Sequence, residues 1–552
     1  MSFQSNGYQF KPHEMPMMIG SPASPDHDKK RRIAYLLIGF YVSLMAGLQN
    51  GLLISALSQL RGDFALDLLQ GGWIQVAYYM TYATASIFFF RVRQHFGIQK
   101  YVSWVLILLL VANGLQIVVH DYYVEIFARA CAGLAASGLL VLGMFYIMQG
   151  LPAAAKIIGV SLALGLMQLG TPLAQMIVPD LLLNGNLQLL FYFSFALTAI
   201  CVGLVWLLPI PPGQTQNVFR FSDWISLLLF ATGIALLCAF LVQGRIVWWT
   251  TPWLGWLLAG SVICVGFALL FEAYRKDPIL DVSWMSTPQI LAFAMTGAVV
   301  RFLTSEQTVG AAGLMATLGM SGEQMTTFYT VVFFASLFGI IASIVRLDIN
   351  DIRRPVVVAL FGIALAAWLD SRVGLNTRPA QLYISQAIMA FSALYFLGPM
   401  MLEGLVRAIA KGPQHIMSFS AVFGLSQTIG GLAGAAIFSA FLTIRTRVHL
   451  ADISQHFNLT HPQFAEYVQS LAKGYASQSS DIAVLQSKAV AQTVNQATTQ
   501  ATVLAYNDFF YLMSSMATIA FVITLLVWVY RRIYKIDIIA QEKQALFAML
   551  KR

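Results

Sequence analysis

The sequence predicts an all-α polytopic membrane protein with fourteen transmembrane helices. Three observations predict it. Apolar runs of roughly twenty residues, the length that crosses a bilayer as helix, recur along almost the whole chain. Hydrophobic residues make up 58% and charged residues only 10%, against roughly 25% charged in soluble domains. The first apolar run follows directly on Lys29-Lys30-Arg31-Arg32, a basic flank of the kind that holds a span's end in the cytosol.

Residues 1–32 are polar, carry Pro12, Pro16, Pro22 and Pro25, and read as a cytosolic tail. The run behind them is too long for the core of a signal peptide and has no cleavage pattern, so it reads as a retained first span. Six spans then follow within an N-terminal half, residues 33–209, near 33–58, 71–90, 101–119, 122–148, 156–180 and 188–209. Two linking helices fill 222–271, near 222–243 and 251–271, separated by a turn at Trp248-Trp249. A C-terminal six-helix half occupies 287–443 and 508–530, with spans near 287–308, 323–345, 355–371, 381–403, 416–443 and 508–530. An even number of spans puts both termini on one side, and the basic residues say which. With the N-terminus inside, the tails and cytosolic loops hold 23 of the 33 Lys and Arg, and the short periplasmic loops hold only Arg61, Arg245, Arg372 and Arg378. Both termini, including the tail 531–552, are therefore expected in the cytosol.

The stretch 444–507 differs from every other connection: it is long, polar and, on this topology, periplasmic. Residues 478–506 contain no Pro or Gly and repeat small apolar residues at three- and four-residue steps, among them Ala489, Val494, Ala497 and Ala501. That pattern predicts a helix, and Pro462 and Gly474 bracket an earlier one, so a helical hairpin is expected above the membrane, its second helix running toward the last span. The net charge of +9 is scattered among apolar segments as topology signals, which argues against nucleic-acid binding. Cys131, Cys201, Cys238 and Cys264 all lie in apolar runs, as packing groups rather than disulfide or metal partners. The eight histidines are dispersed without matching acids, which disfavours an enzyme active site and a metal centre.

Ionisable groups inside spans are costly and mark function. Glu125 and Arg129 lie four apart in the fourth span, the spacing and order of a same-face ion pair. Arg301 and Glu306 lie five apart in the ninth span, so each is expected to seek a partner on another helix. These four are the candidates for transport and proton coupling. Glu403 and Arg407 straddle a cytosolic helix end and read as an interfacial anchor. Gln49, Asn50 and Gln168 interrupt apolar sequence near mid-membrane and are candidates, with Tyr78, for contact with a bound molecule, or for hydrogen bonding between helices. Gly165, Gly170 and Pro172 in the fifth span are answered by Gly424, Gly430, Gly431 and Gly434 in the thirteenth, small residues that let helices approach closely and flex.

These residues resemble a known family, the major facilitator superfamily, in its fourteen-span drug:proton antiporter branch. Arg129 through Gly133 and Ala136 look like its fourth-span arginine motif, and Gly165 through Gly170 and Pro172 like its antiporter motif. Trp73 with Tyr78 matches the second-span pattern. The basic connector Arg275 to Asp281, with Pro278, and the glycines from Gln427 to Gly434 resemble further motifs of the branch. The loop after the second span keeps Arg91, Arg93 and Gly97 but has Gln94 at the family's acidic position. Gln49 stands for the usual first-span aspartate and Ser426 for the thirteenth-span arginine. The long loop ending near Asp508 is similar to that of the EmrB-like members of the EmrB/QacA subfamily.

The resemblance implies two six-helix halves plus two extra helices, no cofactor, and export of an amphipathic small molecule or drug from the bacterial inner membrane. Alternating access driven by the proton motive force would supply the work. It also implies partners: a periplasmic adaptor, or membrane fusion protein, and an outer-membrane channel. A dedicated exporter of one siderophore or aromatic metabolite would use the same machinery. A membrane-embedded transferase, or a receptor sensing through the hairpin, is the alternative of a different class.

Overall fold

In the computed structural model the described residues are 4–5, 8–9, 14, 20–152, 155–182, 185–213, 215–216, 220–276, 278–348, 351–412, 415–455, 462–475, 481–534, 540 and 542. Pro12, Pro16 and most of the tail 531–552 lie outside them, as do residues 478–480 of the predicted hairpin helix.

Six helices form the N-terminal half: α1 (Lys29–Asp63), α2 (Leu68–Phe96), α3 (Ile98–Val118), α4 (Tyr122–Gly150), α5 (Lys156–Leu181) and α6 (Leu187–Leu207). Local chemistry sets their ends. Asp67 accepts from the Gln70 amide at 2.6 Å while the Gln70 side chain answers the Asp67 amide at 3.0 Å, a reciprocal cap on α2. Asp121 and Asn186 cap α4 and α6 in the same way through single bonds. Gly97, at φ +81, makes the turn between α2 and α3, a backbone state that glycine enters without a Cβ penalty.

The pair α7 (Phe221–Val247) and α8 (Pro252–Tyr274) packs on itself and against α2. A four-residue turn of helix, α9 (Val282–Met285), leads into the C-terminal half. There α10 (Pro288–Leu303) gives way after Thr304 and Ser305 to a π-helical turn over Gln307–Ala311 and a short α11 (Ala312–Thr317). The half continues with α12 (Gly322–Val345), α13 (Arg354–Leu369), α14 (Tyr383–Tyr395), α15 (Leu397–Lys411) and α16 (His415–Ser454). The last two helices are α17 (Pro462–Gly474) and α18 (Ile482–Ile533). Two short strands, β1 (Gln4–Ser5) and β2 (Tyr8–Gln9), pair in the N-terminal tail.

Among the described residues twelve helical segments are long and apolar enough to cross a membrane, so the chain is a multi-pass membrane protein. The fourteen expected from sequence are not all among them. The second expected span falls on α2, and the ninth on α10, whose regular helix stops after 16 residues. The twelfth covers α14 and α15, which meet at Phe396.

The two halves repeat one packing scheme: α1 lies on α4 and α5, and α10 lies on α16. Small residues permit it. A Cβ at Gly170 of α5 would come within 2.3 Å of the Leu48 nitrogen on α1. One at Gly434 of α16 would meet the Phe302 carbonyl of α10 at 2.8 Å. Neither backbone can yield, so larger side chains there force the helices apart. The halves meet through α5 against α12 and α15, and through α2 against α16. Leu164 and Leu169 of α5 belong to the apolar core of the C-terminal half, and Ser161 donates to the Gly398 carbonyl across the seam at 3.3 Å.

The expected hairpin helices are α17 and the first half of α18, and α18 runs unbroken into the last span. The observed start at Ile482 rather than 478 follows from Asp481, which caps the helix by accepting from the Ala483 amide at 2.9 Å. Ala489, Ala497 and Ala501 are buried, and Tyr467 and Tyr475 of the α17 arm donate to Gln496 and Gln492 of α18. At the hairpin's base Asp508 accepts from Arg445 at 2.6 Å and pairs with His449 at 2.7 Å, clasping α16 to α18.

Candidate functional site

Arg129 is buried, only 4% exposed, yet the direct pair with Glu125 expected from their spacing is not formed. Its guanidinium donates to the Gln49 carbonyl at 3.1 Å and to the Asn50 side-chain oxygen at 2.7 Å, and it sits over the Tyr78 ring at 4.8 Å. Glu125 instead accepts from Gln116 of α3 at 2.6 Å. The reason is competition: spacing allows the pair, but α1 and α2 offer a carbonyl, an amide and a ring face aimed at the guanidinium, and α3 offers the acid an amide.

Of the two roles expected for Gln49, the structure shows the hydrogen bonding between helices. Its side chain turns to α6, donating to Thr198 at 3.0 Å and accepting from Ser194 at 3.0 Å, while Asn113 of α3 donates to the same Thr198 at 2.9 Å. It is interhelical glue, as mid-membrane amides often are. Beside it lies a water-sized cavity of about 20 Å³ lined by Gln49, Asn113, Gln116, Arg129 and Ser194.

A tyrosine ladder on α2 connects the two halves. Tyr78 stacks on Tyr82 with centroids 5.9 Å apart, and Tyr79 meets Tyr78 edge-on at 5.5 Å. Arg129 lies over this ladder from α4, and Arg301 of α10, in the other half, lies within electrostatic range of Tyr79 and Tyr82. Arg301 is half-buried against Gly431 of α16, and its guanidinium has no hydrogen bond or ion pair with another described residue. One turn along the same seam, both amide atoms of Gln427 are buried without a partner among the described residues. Gln168 of α5 is half-buried, and its amide likewise makes no hydrogen bond among them.

Glu306 is fully buried, so it does not sit at the interface with solvent as a residue near a span's end could. Both its oxygens accept from the Gln386 amide of α14, at 3.1 and 3.4 Å, and the same nitrogen donates to Asp370 at 2.8 Å. Sequence reasoning missed Asp370 and Gln386. Asp370 reads as the start of a loop, and the only available signal was an acid at the end of an apolar run.

The remaining candidates act through packing. Gly133 of α4 faces the Tyr78 carbonyl, Gly165 faces Ile340 of α12, and Gly430 faces Ala298 of α10. Pro172 lies inside α5 one turn before Gln175, with Pro179 beyond it. At the opposite end of the C-terminal half Glu403 does pair with Arg407 at 2.7 Å, the four-residue spacing made good, with Arg353 alongside at 3.9 Å.

The Major Facilitator Superfamily profile matches residues 39–435. Over 495 residues the chain is 22% identical to the multidrug export protein EmrB of Escherichia coli (strain K12), covering 86% of this chain and 90% of that one. Among solved structures it resembles PepTSo2, with a TM-score of 0.52 and 13% identity over 92% of this chain and 99% of that one. It also resembles the nucleoside transporter NupG, at 0.51 and 11% over 89% and 99%. The human organic anion transporter MFSD10 superposes at 0.50 with 12% identity over 89% and 100%. At these identities the structures speak for the fold alone, and the profile, spanning both halves, for the family. The chain is a secondary transporter rather than an enzyme, and it belongs to the major facilitator superfamily.

Proposed function

We propose that this transporter exports amphipathic, aromatic small molecules in exchange for protons, with both termini in the cytosol of a bacterial cell and its bound molecule held between the two halves. The observation that carries the reading is Arg301. A half-buried cation without a hydrogen bond or ion pair among the described residues, facing tyrosines of the opposite half, is poised to meet a charged or polar group of a bound molecule. Its neighbours Tyr79 and Tyr82 offer ring faces for stacking. Because the contact joins parts that separate in alternating access, occupancy and conformation are linked there. The outward direction rests on the likeness to EmrB along most of both chains.

The hairpin of α17 and α18 supports a further part of the reading, that the transporter is the membrane pump of a tripartite assembly with a periplasmic adaptor and an outer-membrane channel. Outside its packed stripe it presents Ile482, Val484, Val490 and Val494 to the exterior, more apolar surface than a connecting loop needs. The cationic, aromatic seam also suits a pump dedicated to one aromatic acid, such as a catechol-bearing siderophore.

Everted vesicles that acidify their lumen by respiration test the proposal. Vesicles containing the protein should accumulate radiolabelled salicylate or the cation ethidium above control vesicles, and addition of the probe should release protons from the lumen. Accumulation that survives a protonophore would sink the exchange, and a protein that moves neither probe in any gradient would sink the export reading.

A further inference from the structure

The coupled exchange proposed above needs a group that takes up a proton and gives it back, and the C-terminal half holds a cluster suited to it. Glu306 lies where regular helix α10 ends and the π-helical turn begins. Asp370 lies where α13 ends, and Gln386 lies on α14. The three side chains are 0%, 2% and 0% exposed. One amide nitrogen serves both acids, at 3.1 Å to Glu306 and 2.8 Å to Asp370.

The charged groups on the surrounding elements are all committed elsewhere or turned away. On α10, Arg301 faces Gly431 and the α2 tyrosines. Arg372, two residues beyond Asp370, is exposed over the Trp368 ring at 5.9 Å. On α18, Asp508 is held by Arg445 and His449, and the faces nearest the cluster are Phe509 and Phe510, which pack on Gly310 of the π turn. Tyr383 of α14 is half-buried, Glu323 at the start of α12 is exposed, and neither α11 nor the π turn carries an ionisable residue. No cation lies within 4.0 Å of either carboxyl among the described residues.

Two buried carboxylates that share one neutral amide, with the neutral Ser385 hydroxyl as a further donor to Asp370 and no cation within 4.0 Å among the described residues, cannot both carry charge without a large desolvation and repulsion cost. A proton on one of them removes the repulsion and turns that carboxyl into a donor.

We propose that Glu306 and Asp370, bridged by Gln386, share a single exchangeable proton and form the proton-carrying site of the transport cycle. Loss of that proton to water leaves two negative charges on one amide, which drives the broken end of α10 away from α13 and α14. Return of the proton to a carboxylate oxygen lets the cluster close. Because Arg301 rides on the same helix, the movement reaches the seam between the halves. A π turn is the kind of helix break at which such a shift is absorbed. The site adds Asp370, just past the end of α13, and Gln386 of α14 to a coupling reading that from sequence rested on Glu125 and Glu306.

Two measurements on the full-length protein test this. In the first, infrared spectra of the purified protein in detergent are recorded across a pH series. Wild type should show a buried protonated-carboxyl band, shifted by deuterium oxide, that disappears at high pH and is absent from both Glu306→Gln and Asp370→Asn. A band unchanged in either variant overturns the shared proton. In the second, everted vesicles carry salicylate or ethidium, whichever the wild type exchanges for protons. Each variant should lose proton-driven accumulation and probe-induced proton release while still exchanging labelled for unlabelled probe without a gradient. If both variants keep proton-driven accumulation, the cluster is structural and the proposal fails even though antiport stands. If wild type itself transports both probes without moving protons, antiport fails and this cluster's role in it fails too, whereas the infrared result still decides whether the proton is shared.

Discussion

Arg129 of the fourth helix is bonded to Asn50 of the first at 2.7 Å, which latches α4 to α1. The latch predicts an order of effects. Asn50→Ala removes a charge-assisted hydrogen bond and should destabilise the purified protein by about 1.5–3 kcal/mol, and Arg129→Ala by more, since it also strands the Gln49 carbonyl. Glu125→Gln should stay within about 1 kcal/mol of wild type, because an amide there can still bond Gln116. Thermal unfolding in detergent checks the series. Equal losses for Glu125→Gln and Asn50→Ala would return the arginine to the acid.

Close helix approach gives a second prediction. Gly170→Val and Gly434→Val each place atoms on a facing backbone and should destabilise by about 1–3 kcal/mol or abolish insertion. Gly255→Val on α8, which meets nothing within 4 Å, should cost no more than helix propensity allows. Yield of monodisperse protein from membranes is the readout, and a tolerant Gly170→Val would show that α1 and α5 are not locked together.

The N-terminal tail supplies a pH dependence. His27 bonds Gln149 at 2.9 Å, and burial, reinforced by Arg31 and Lys156, lowers its pKa below the ordinary 6.5. A group whose folded pKa is depressed favours the docked state above its free pKa and loses that contribution as pH falls through the folded value. Acidification should therefore loosen the tail. Limited proteolysis near Asp26 should quicken at low pH in wild type, and His27→Gln should remove the dependence; a rate flat with pH in wild type would contradict it.

Membrane orientation and the hairpin are tested together. A cysteine at Asp26 should react with an impermeant maleimide only in everted vesicles, and one at Ser487 only in intact cells. Replacing residues 452–500 by a Gly/Ser linker should spare probe accumulation in vesicles while abolishing efflux from cells. Loss of both activities with normal insertion would place the hairpin within the transport cycle.

Much of this architecture was legible in the sequence, because bilayer thickness fixes span length and helix formers without Pro or Gly marked the hairpin. The intramembrane cations were legible for the same physical reason: Arg129 and Arg301 stand out against apolar neighbours. What could not be read is partner choice. The four-residue spacing of Glu125 and Arg129 fixes a shared face, but which atoms meet depends on what Gln49, Asn50 and Gln116 bring from other helices. Asp370 was hidden for another reason. It follows an apolar run by one residue, where an acid ordinarily meets water, and only the fold of α14 and α18 over it shows that it does not.

The unbroken course of α18 has a mechanical consequence. Its 52 residues make a rod about 78 Å long at 1.5 Å per residue, with Phe509 and Phe510 set against the π turn beside Glu306, the natural fulcrum for any tilt. The arm from that fulcrum to Ile482 is about 40 Å, so a tilt of about 5° there would carry the hairpin end of the rod through about 3.5 Å. Leverage works in both directions. On the proposed cycle a load fastened to the tip would feel each movement of the carboxyl cluster, and a tip held fast would stiffen the fulcrum.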